Sequence, residues 1–212
     1  IHGKKYDIDQ DLEEYLKIYL QSTQYSNEYS LKWDLTPPIK TRAIAPCGTI
    51  GIVAETTTGI EPIFCSAYKR RYKKGPELTE YQYVLDPTAK KLVDLGTDPD
   101  LIEDAYDLAS DPERRIRFQA WVQKYVDHAI SSTINLPAWG TKFNNESLIN
   151  DFGAKLMKYL PNLRGITCYP DGSRGGQPLT PVKYSIAAKH SGETFIEYGD
   201  VCDLTKGGSC GS

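Results

Sequence analysis

The chain has 212 residues, with 25 Lys and Arg against 28 Asp and Glu for a net charge of −3, and 40% of it is hydrophobic. That composition supports one sizeable core, and the length leaves no room for a complete multidomain enzyme. The charge excludes a global basic field of the kind that holds a nucleic-acid backbone or an anionic membrane, so any anion has to be bound locally.

No run approaches the roughly 20 apolar residues of a membrane helix. Ile1 to Lys5 has no apolar stretch suited to a secretion signal, so a cytoplasmic protein with no membrane or nucleic-acid partner is expected. Five cysteines, odd in number and scattered, do not make a disulfide framework. The 15 Tyr against 5 Phe point to aromatic surfaces that keep a hydroxyl near water.

After Asp9, the residues Leu12, Tyr15, Leu16, Tyr19 and Leu20 fall on one face of a helix with an acidic first turn. Pro37-Pro38 ends it, and Ile39 to Ala45 reads as a short strand running into Pro46-Cys47-Gly48-Thr49. Two Tyr-rich stretches, Ile63 to Tyr72 and Thr79 to Leu85, flank Lys73-Lys74-Gly75-Pro76 and predict a basic β-hairpin. Asp98 to Ala109 reads as a helix. Asp111-Pro112 is an N-cap followed by proline at the first helical position, and the helix it opens puts Phe118, Trp121, Val122, Tyr125 and Val126 on one face.

Ala129 to Leu136 predicts a strand rich in Ser and Thr. A helix then starts near Asn144 or Asn145, carries Leu148, Ile149, Phe152, Leu156 and Leu160, and stops at Pro161. Arg164 to Tyr169 is the next strand, and strand, helix, strand is the order of an α/β core. Asp171 to Pro181 reads as a Gly/Pro-rich loop, Thr194 to Tyr198 as a short strand, and Lys206 to Ser212 as a small, polar, mobile end. No internal repeat stands out.

The segment Ala45-Pro46-Cys47-Gly48-Thr49-Ile50-Gly51 can be read in two ways. Gly48 and Gly51 allow backbone N–H groups to approach an anion closely, and the same residues suit an ordinary strand-to-helix turn. It is neither a Walker loop nor a dinucleotide fingerprint. On the strand at 129–136, alternation puts Ser131, Thr133 and Asn135 on one face, either lining a site or as ordinary sheet polarity. Cys65 and Cys168 sit among apolar neighbours and read as buried, inert thiols. His2, His128 and His190 have no metal-ligand spacing, so no metal site is expected. Lys69-Arg70-Arg71 with Lys73-Lys74 is a solvated basic face or a contact for phosphate or a partner.

Three segments, AIAPCGTIGIVAETTTGIEP at 43–62, AISSTINLP at 129–137 and LRGITCYPDGSRGGQPL at 163–179, resemble the C-terminal part of ribonucleotide reductase catalytic subunits, especially the adenosylcobalamin-dependent (class II) branch. The resemblance runs from about Lys40 to Pro181. It implies an α/β fold that is the C-terminal portion of a ten-stranded α/β barrel, with a β-hairpin and a flexible C-terminal tail. Residues 1–199 would be barrel segment and 200–212 a cysteine-containing tail.

The resemblance also assigns roles. Pro46, Cys47, Gly48, Thr49 and Ile50 would hold the phosphates of a ribonucleoside di- or triphosphate, mainly through backbone N–H groups and the Thr49 hydroxyl. The family more often has Thr or Ser where Cys47 stands, and a thiol is a poor donor. Adenosylcobalamin would be the cofactor. Cys202 and Cys210 would be the mobile pair that carries electrons from a thioredoxin-like reductant, at a wider spacing than the family's usual pair. The family's radical-forming cysteine sits on a finger loop resembling Asn-x-Cys-x-Glu, which nothing in this sequence matches; Thr49 stands where the acid would follow Cys47. An upstream reductase chain is therefore the expected partner for conversion of ribonucleotides to deoxyribonucleotides. The alternative is a non-catalytic reductase-like module that binds nucleotide or a partner chain.

Overall fold

A computed structural model describes residues 5–73, 79–173 and 178–196. In chain order the elements are α1 (Gln10–Lys32), α2 (Gly48–Val53), β1 (Ala67–Lys73), β2 (Thr79–Leu85), α3 (Pro87–Asp94), α4 (Ala105–Ala109), α5 (Pro112–Val122), β3 (Thr133–Leu136), α6 (Ile149–Tyr159), β4 (Thr167–Pro170), β5 (Leu179–Pro181), α7 (Tyr184–Lys189) and β6 (Thr194–Phe195). The described residues form two compact units, one within 5–66 and 86–173, the other within 67–85 and 178–196.

In the larger unit, Asp9 caps α1 by accepting the N–H of Leu12, as the acidic start predicts. Asp111 caps α5 ahead of Pro112, and Phe118, Trp121, Val122, Val126, Ile130 and Leu16 of α1 make one buried cluster. Burying such side chains stabilises by about 1.5–3 kcal/mol each, and this cluster fixes α1 and α5 beneath the strands. β3 and β4 pair in parallel, joined through α6, so the α/β order holds.

Several elements are shorter than the sequence predicts. Ile39 to Ala45 reduces to a parallel bridge between Ile44 and Ile130, because Pro37-Pro38 and the turn at Pro46 leave little extended chain. The strand at 129–136 becomes regular only from Thr133. The helix over 98–109 breaks in two: Asp98 caps a single 3-10 turn, Pro99–Leu101, and Asp104 then starts α4 afresh with a capping box to Asp107. α3 went unpredicted, although Asp86-Pro87 repeats the cap-and-proline pattern of α5 and Asp86 accepts the N–H groups of Thr88 and Ala89.

The smaller unit is an antiparallel sheet in the order β5-β1-β2-β6 with α7 packed on β1 and β2. The hairpin register pairs Ala67 with Leu85 and Arg71 with Tyr81, and β1 starts at Ala67 rather than Ile63. β5 lies inside the stretch that reads as a Gly/Pro loop, and α7 also went unpredicted. Tyr81, Tyr83 and Phe195 stack on one face of the sheet, with the Lys69 ammonium over the Tyr81 ring.

Candidate functional site

Residues 42–44 run parallel to 128–131: the Arg42 carbonyl accepts the N–H of His128, Ile44 donates to Ala129 and the Ile44 carbonyl accepts the N–H of Ser131. With β3 and β4 this makes a three-segment parallel array, and the chain leaves its outer segment at Ala45 to form the loop 46–49 and α2. The carboxyl ends of parallel strands are where α/β folds place ligands.

The loop is exposed, and Cys47 holds a left-handed φ of 45°, a conformation that costs an L residue roughly 1–2 kcal/mol. That turn directs the N–H groups that open α2 out of the strand line. Gly51 donates to the Cys47 carbonyl at 2.9 Å, whereas no acceptor among the described residues reaches the N–H groups of Gly48, Thr49 or Ile50. The two glycines therefore differ. A Cβ on Gly48 would meet nothing within 4 Å, so its face is open to a ligand. A Cβ on Gly51 would lie 2.2 Å from Thr58 Cγ2, so Gly51 serves packing instead of anion approach.

The segment after α2 is fastened by a set of interactions that the sequence reading assigned no role. Gly59, at φ 54°, presses against the outer segment: a Cβ there would sit 3.1 Å from Ile44 Cγ2 and 3.3 Å from the Ala45 carbonyl. Two residues later Glu61 Oε2 accepts from Arg115 Nη2 at 2.5 Å, and Glu61 Oε1 accepts the Thr133 N–H at 2.6 Å. Arg115, 1% exposed, also donates to the Thr133 carbonyl at 2.7 Å. Tyr6 packs over the Arg115 guanidinium and donates its hydroxyl to the Ile60 carbonyl, and burial above all pushes that hydroxyl's pKa well above its usual value. The signal for Arg115 was present in the sequence: it lies in phase with Phe118 and Val122 on the apolar stripe of α5. A charged residue in that phase needs a buried partner.

The outer segment has a second anchor. Asp127 accepts the backbone N–H groups of Thr41 and Arg42 and pairs with Arg42 Nη2 at 3.2 Å, while Arg42 Nε donates to the Tyr125 carbonyl and its Nη1 to the Thr23 hydroxyl. Partial burial works against the charge, but those two N–H groups and the Arg42 guanidinium hold the Asp127 carboxyl below its usual range.

Ser131, Thr133 and Asn135 alternate on the more open side of their strand, with Ser132 and Ile134 buried behind them. Ser131 through its carbonyl and Thr133 through its N–H meet Gly59 and Glu61 of the segment that follows α2. Asn135 lines a separate cavity of about 260 Å³ at the carboxyl ends of β3 and β4, with Tyr106, Phe143 and Asp171. A mostly apolar cavity of about 200 Å³ lies between Leu12, Ile60, Ile63, Leu101 and Phe118.

Cys65 is buried, and desolvation followed by the neighbouring Asp104 and Asp86 carboxylates pushes its thiol well above its usual pKa. Cys168 is only half-buried, against the expectation of full burial, and desolvation raises its pKa as well. Neither is a thiolate near neutral pH. Cys202 and Cys210 lie outside the described residues. Among the described residues there is no group of three or more His, Cys, Asp or Glu placed to hold a metal ion, and no helix is long and apolar enough to cross a membrane.

The family model for the ribonucleotide reductase barrel domain matches residues 40–158. A vitamin B12-dependent ribonucleoside-diphosphate reductase of Mycobacterium tuberculosis (strain CDC 1551 / Oshkosh) is 32% identical over 158 residues, which cover 65% of this chain and 22% of that protein. Another of the same name from Thermoplasma acidophilum is 29% identical over 160 residues, covering 66% of this chain and 20% of that protein. This chain thus spans about a fifth of the length of these relatives. A crystal structure of a B-12 dependent (class II) ribonucleotide reductase superposes with a TM-score of 0.59 at 16% identity, covering 84% of this chain and 26% of the other, so the fold is part of that barrel. The matched segment holds the loop and β3 and makes up more than half of the chain, so the chain belongs to the ribonucleotide reductase barrel-domain family.

Proposed function

We propose that this chain is the substrate-phosphate-holding part of a vitamin B12-dependent ribonucleotide reductase, one that converts ribonucleoside di- or triphosphates to deoxyribonucleotides together with a reductase portion carrying the finger-loop cysteine. The observation that carries this reading is the loop at 46–50. Its three N–H groups at Gly48, Thr49 and Ile50 have no acceptor among the described residues, and it stands at the exit of a parallel strand within the family-matched segment. Backbone N–H groups at a helix start bind anions through their unpaired hydrogens and local dipole. Pro46 and the left-handed Cys47 set the turn, Gly48 leaves room for close approach, and the Thr49 hydroxyl adds a donor. Ser131 and Thr133 would border the same site.

The names of the relatives bring adenosylcobalamin to this reading, and the cofactor supplies the radical when bound. Neither of the two cavities lined by the described residues has room for a corrin. The cavities of about 200 and 260 Å³ are smaller than the roughly 300–1,000 Å³ of ordinary small-molecule pockets. The chain's own share is therefore binding and orientation. Cys202 and Cys210, separated by a stretch that includes Gly207-Gly208, would serve as the cysteine pair that passes electrons from a thioredoxin-like reductant to the site.

The test is deoxynucleotide formation with adenosylcobalamin and a dithiol, by this chain alone and by the enzyme assembled with the portion that this chain lacks. The assembled enzyme turns over and the chain alone does not. Turnover by the 212-residue chain alone contradicts the shared-site reading. Nucleotide binding without turnover in the assembled enzyme favours a non-catalytic reductase-like module.

A further inference from the structure

α1 carries two apolar stripes, and the core uses one. Leu12 and Leu16 face the cluster on α5, and Tyr19 donates its hydroxyl to the Ala43 carbonyl. On another side of the helix, Tyr15, Ile18, Tyr25 and Tyr29 keep a three-four spacing through Ser22, which is half-buried with its hydroxyl turned inward, and the row ends at Lys32. Tyr15, Ile18, Tyr25 and Tyr29 are 61–63% exposed, in a helix of 23 residues whose buried side chains are Leu16 and Ser30. A three-four repeat sustained over more than two turns is the pattern of a helix that packs against another helix.

We infer that this stripe is a self-complementary seam on which a second copy of the chain docks, α1 against α1 and antiparallel. The residue order favours a second copy. Setting Ser22 against Tyr25 of the other helix also sets Ile18 against Tyr29 and Tyr15 against Lys32, so in the central layers a ring meets a smaller side chain. The same register brings Glu14, in the second turn and bonded to Lys17 of its own helix, beside Lys32 in the last turn of the second copy, and it opposes the two helix dipoles. A parallel pairing places Glu14 on Glu14, Lys32 on Lys32 and ring on ring. An antiparallel pair is also closed by its two-fold axis, so association stops at the dimer. The inference rests on α1 alone and is independent of the nucleotide reading.

Sedimentation velocity of the 212-residue chain across about 1–300 µM tests it. One helix face buries less than a standard interface, so reversible dimerisation with Kd of roughly 10–100 µM is expected. Tyr25→Glu with Tyr29→Glu, both at exposed helix positions, abolishes the dimer while circular dichroism stays unchanged. Lys32→Glu weakens it about tenfold, and adding Glu14→Lys restores it. For register, Ile18→Cys and Tyr29→Cys are made separately in a background with Cys47, Cys202 and Cys210 changed to serine. Under oxidised glutathione they cross-link when mixed and not when alone. Monomer at every concentration overturns the inference and leaves the seam to the rest of the reductase. A dimer that survives the Tyr→Glu pair, or cross-linking of Ile18→Cys with itself, overturns it as well.

Discussion

Glu61 and Arg115 together stand in for a strand neighbour at Thr133. The bridge between Ile44 and Ile130 ends where the chain turns away at Pro46, and among the described residues the outer edge of β3 then has no backbone partner. There the Thr133 N–H is taken by Glu61 and the Thr133 carbonyl by Arg115, while the two side chains pair with each other. An unpaired backbone group at a buried strand is costly, so the ion pair stabilises the sheet as well as fixing the segment behind the loop.

Arg115→Met leaves Glu61 without its partner and Thr133 with an unpaired carbonyl. Breaking a buried pair costs about 3–5 kcal/mol, which chemical denaturation of the variant should show. Arg115→Met with Glu61→Leu removes both charges and should lose less than the Arg115 change alone. A double variant as unstable as the sum of the singles contradicts the pairing.

Gly51→Ala puts a methyl into the Thr58 Cγ2 methyl, an overlap that costs about 1–3 kcal/mol in a packed site. Thr58→Ser deletes that Cγ2, so Gly51→Ala with Thr58→Ser should recover most of the loss. The thermal midpoints of the four proteins decide this. Equal stability of Gly51→Ala and the parent would show that the turn is looser than described.

The Asp127 carboxyl, held below its usual range, gives a pH signature. A depressed folded pKa contributes stability above the unfolded value, near pH 3.9, and loses it as pH falls through the folded value. Asp127→Asn should therefore be less stable than the parent at pH 7, with the difference shrinking below about pH 4. A stability difference constant from pH 7 to pH 2.5 would remove the charge from this account.

Single Cys202→Ser and Cys210→Ser variants of the assembled enzyme should turn over normally with a small dithiol, which enters the site directly. With thioredoxin, which under the proposed relay delivers its electrons through the tail, they should stop after about one turnover. Equal rates with both reductants would remove the relay from the tail.

The parts of this structure that local chemistry controls were legible in the sequence. Asp9, Asp111-Pro112 and the Phe118 to Val126 stripe name their helices because caps and apolar period act over a few residues. The loop at 46–50 was legible as a glycine turn, and the resemblance alone told it from any other turn. What stayed hidden depended on distant partners. Glu61, Arg115 and Thr133 are 54 and 18 residues apart along the chain, so no window of local sequence holds the ion pair. The break at Asp104 was hidden for a different reason: Asp98 to Ala109 has helical composition throughout, and an internal Asp signals a fresh cap only once Ser66 is seen to donate to it.

The most direct test of the central claim is the KM for ribonucleotide in the assembled enzyme with Gly48→Val. A Cβ at Gly48 meets no atom of the described residues within 4 Å, so the fold should persist while close approach of a phosphate is blocked. Losing hydrogen bonds to a charged group costs about 1–3 kcal/mol, a rise in KM of roughly 5- to 150-fold, with kcat much less affected because the contact holds substrate and transition state alike. An unchanged KM in a folded Gly48→Val enzyme would contradict the assignment of this loop to the substrate phosphate.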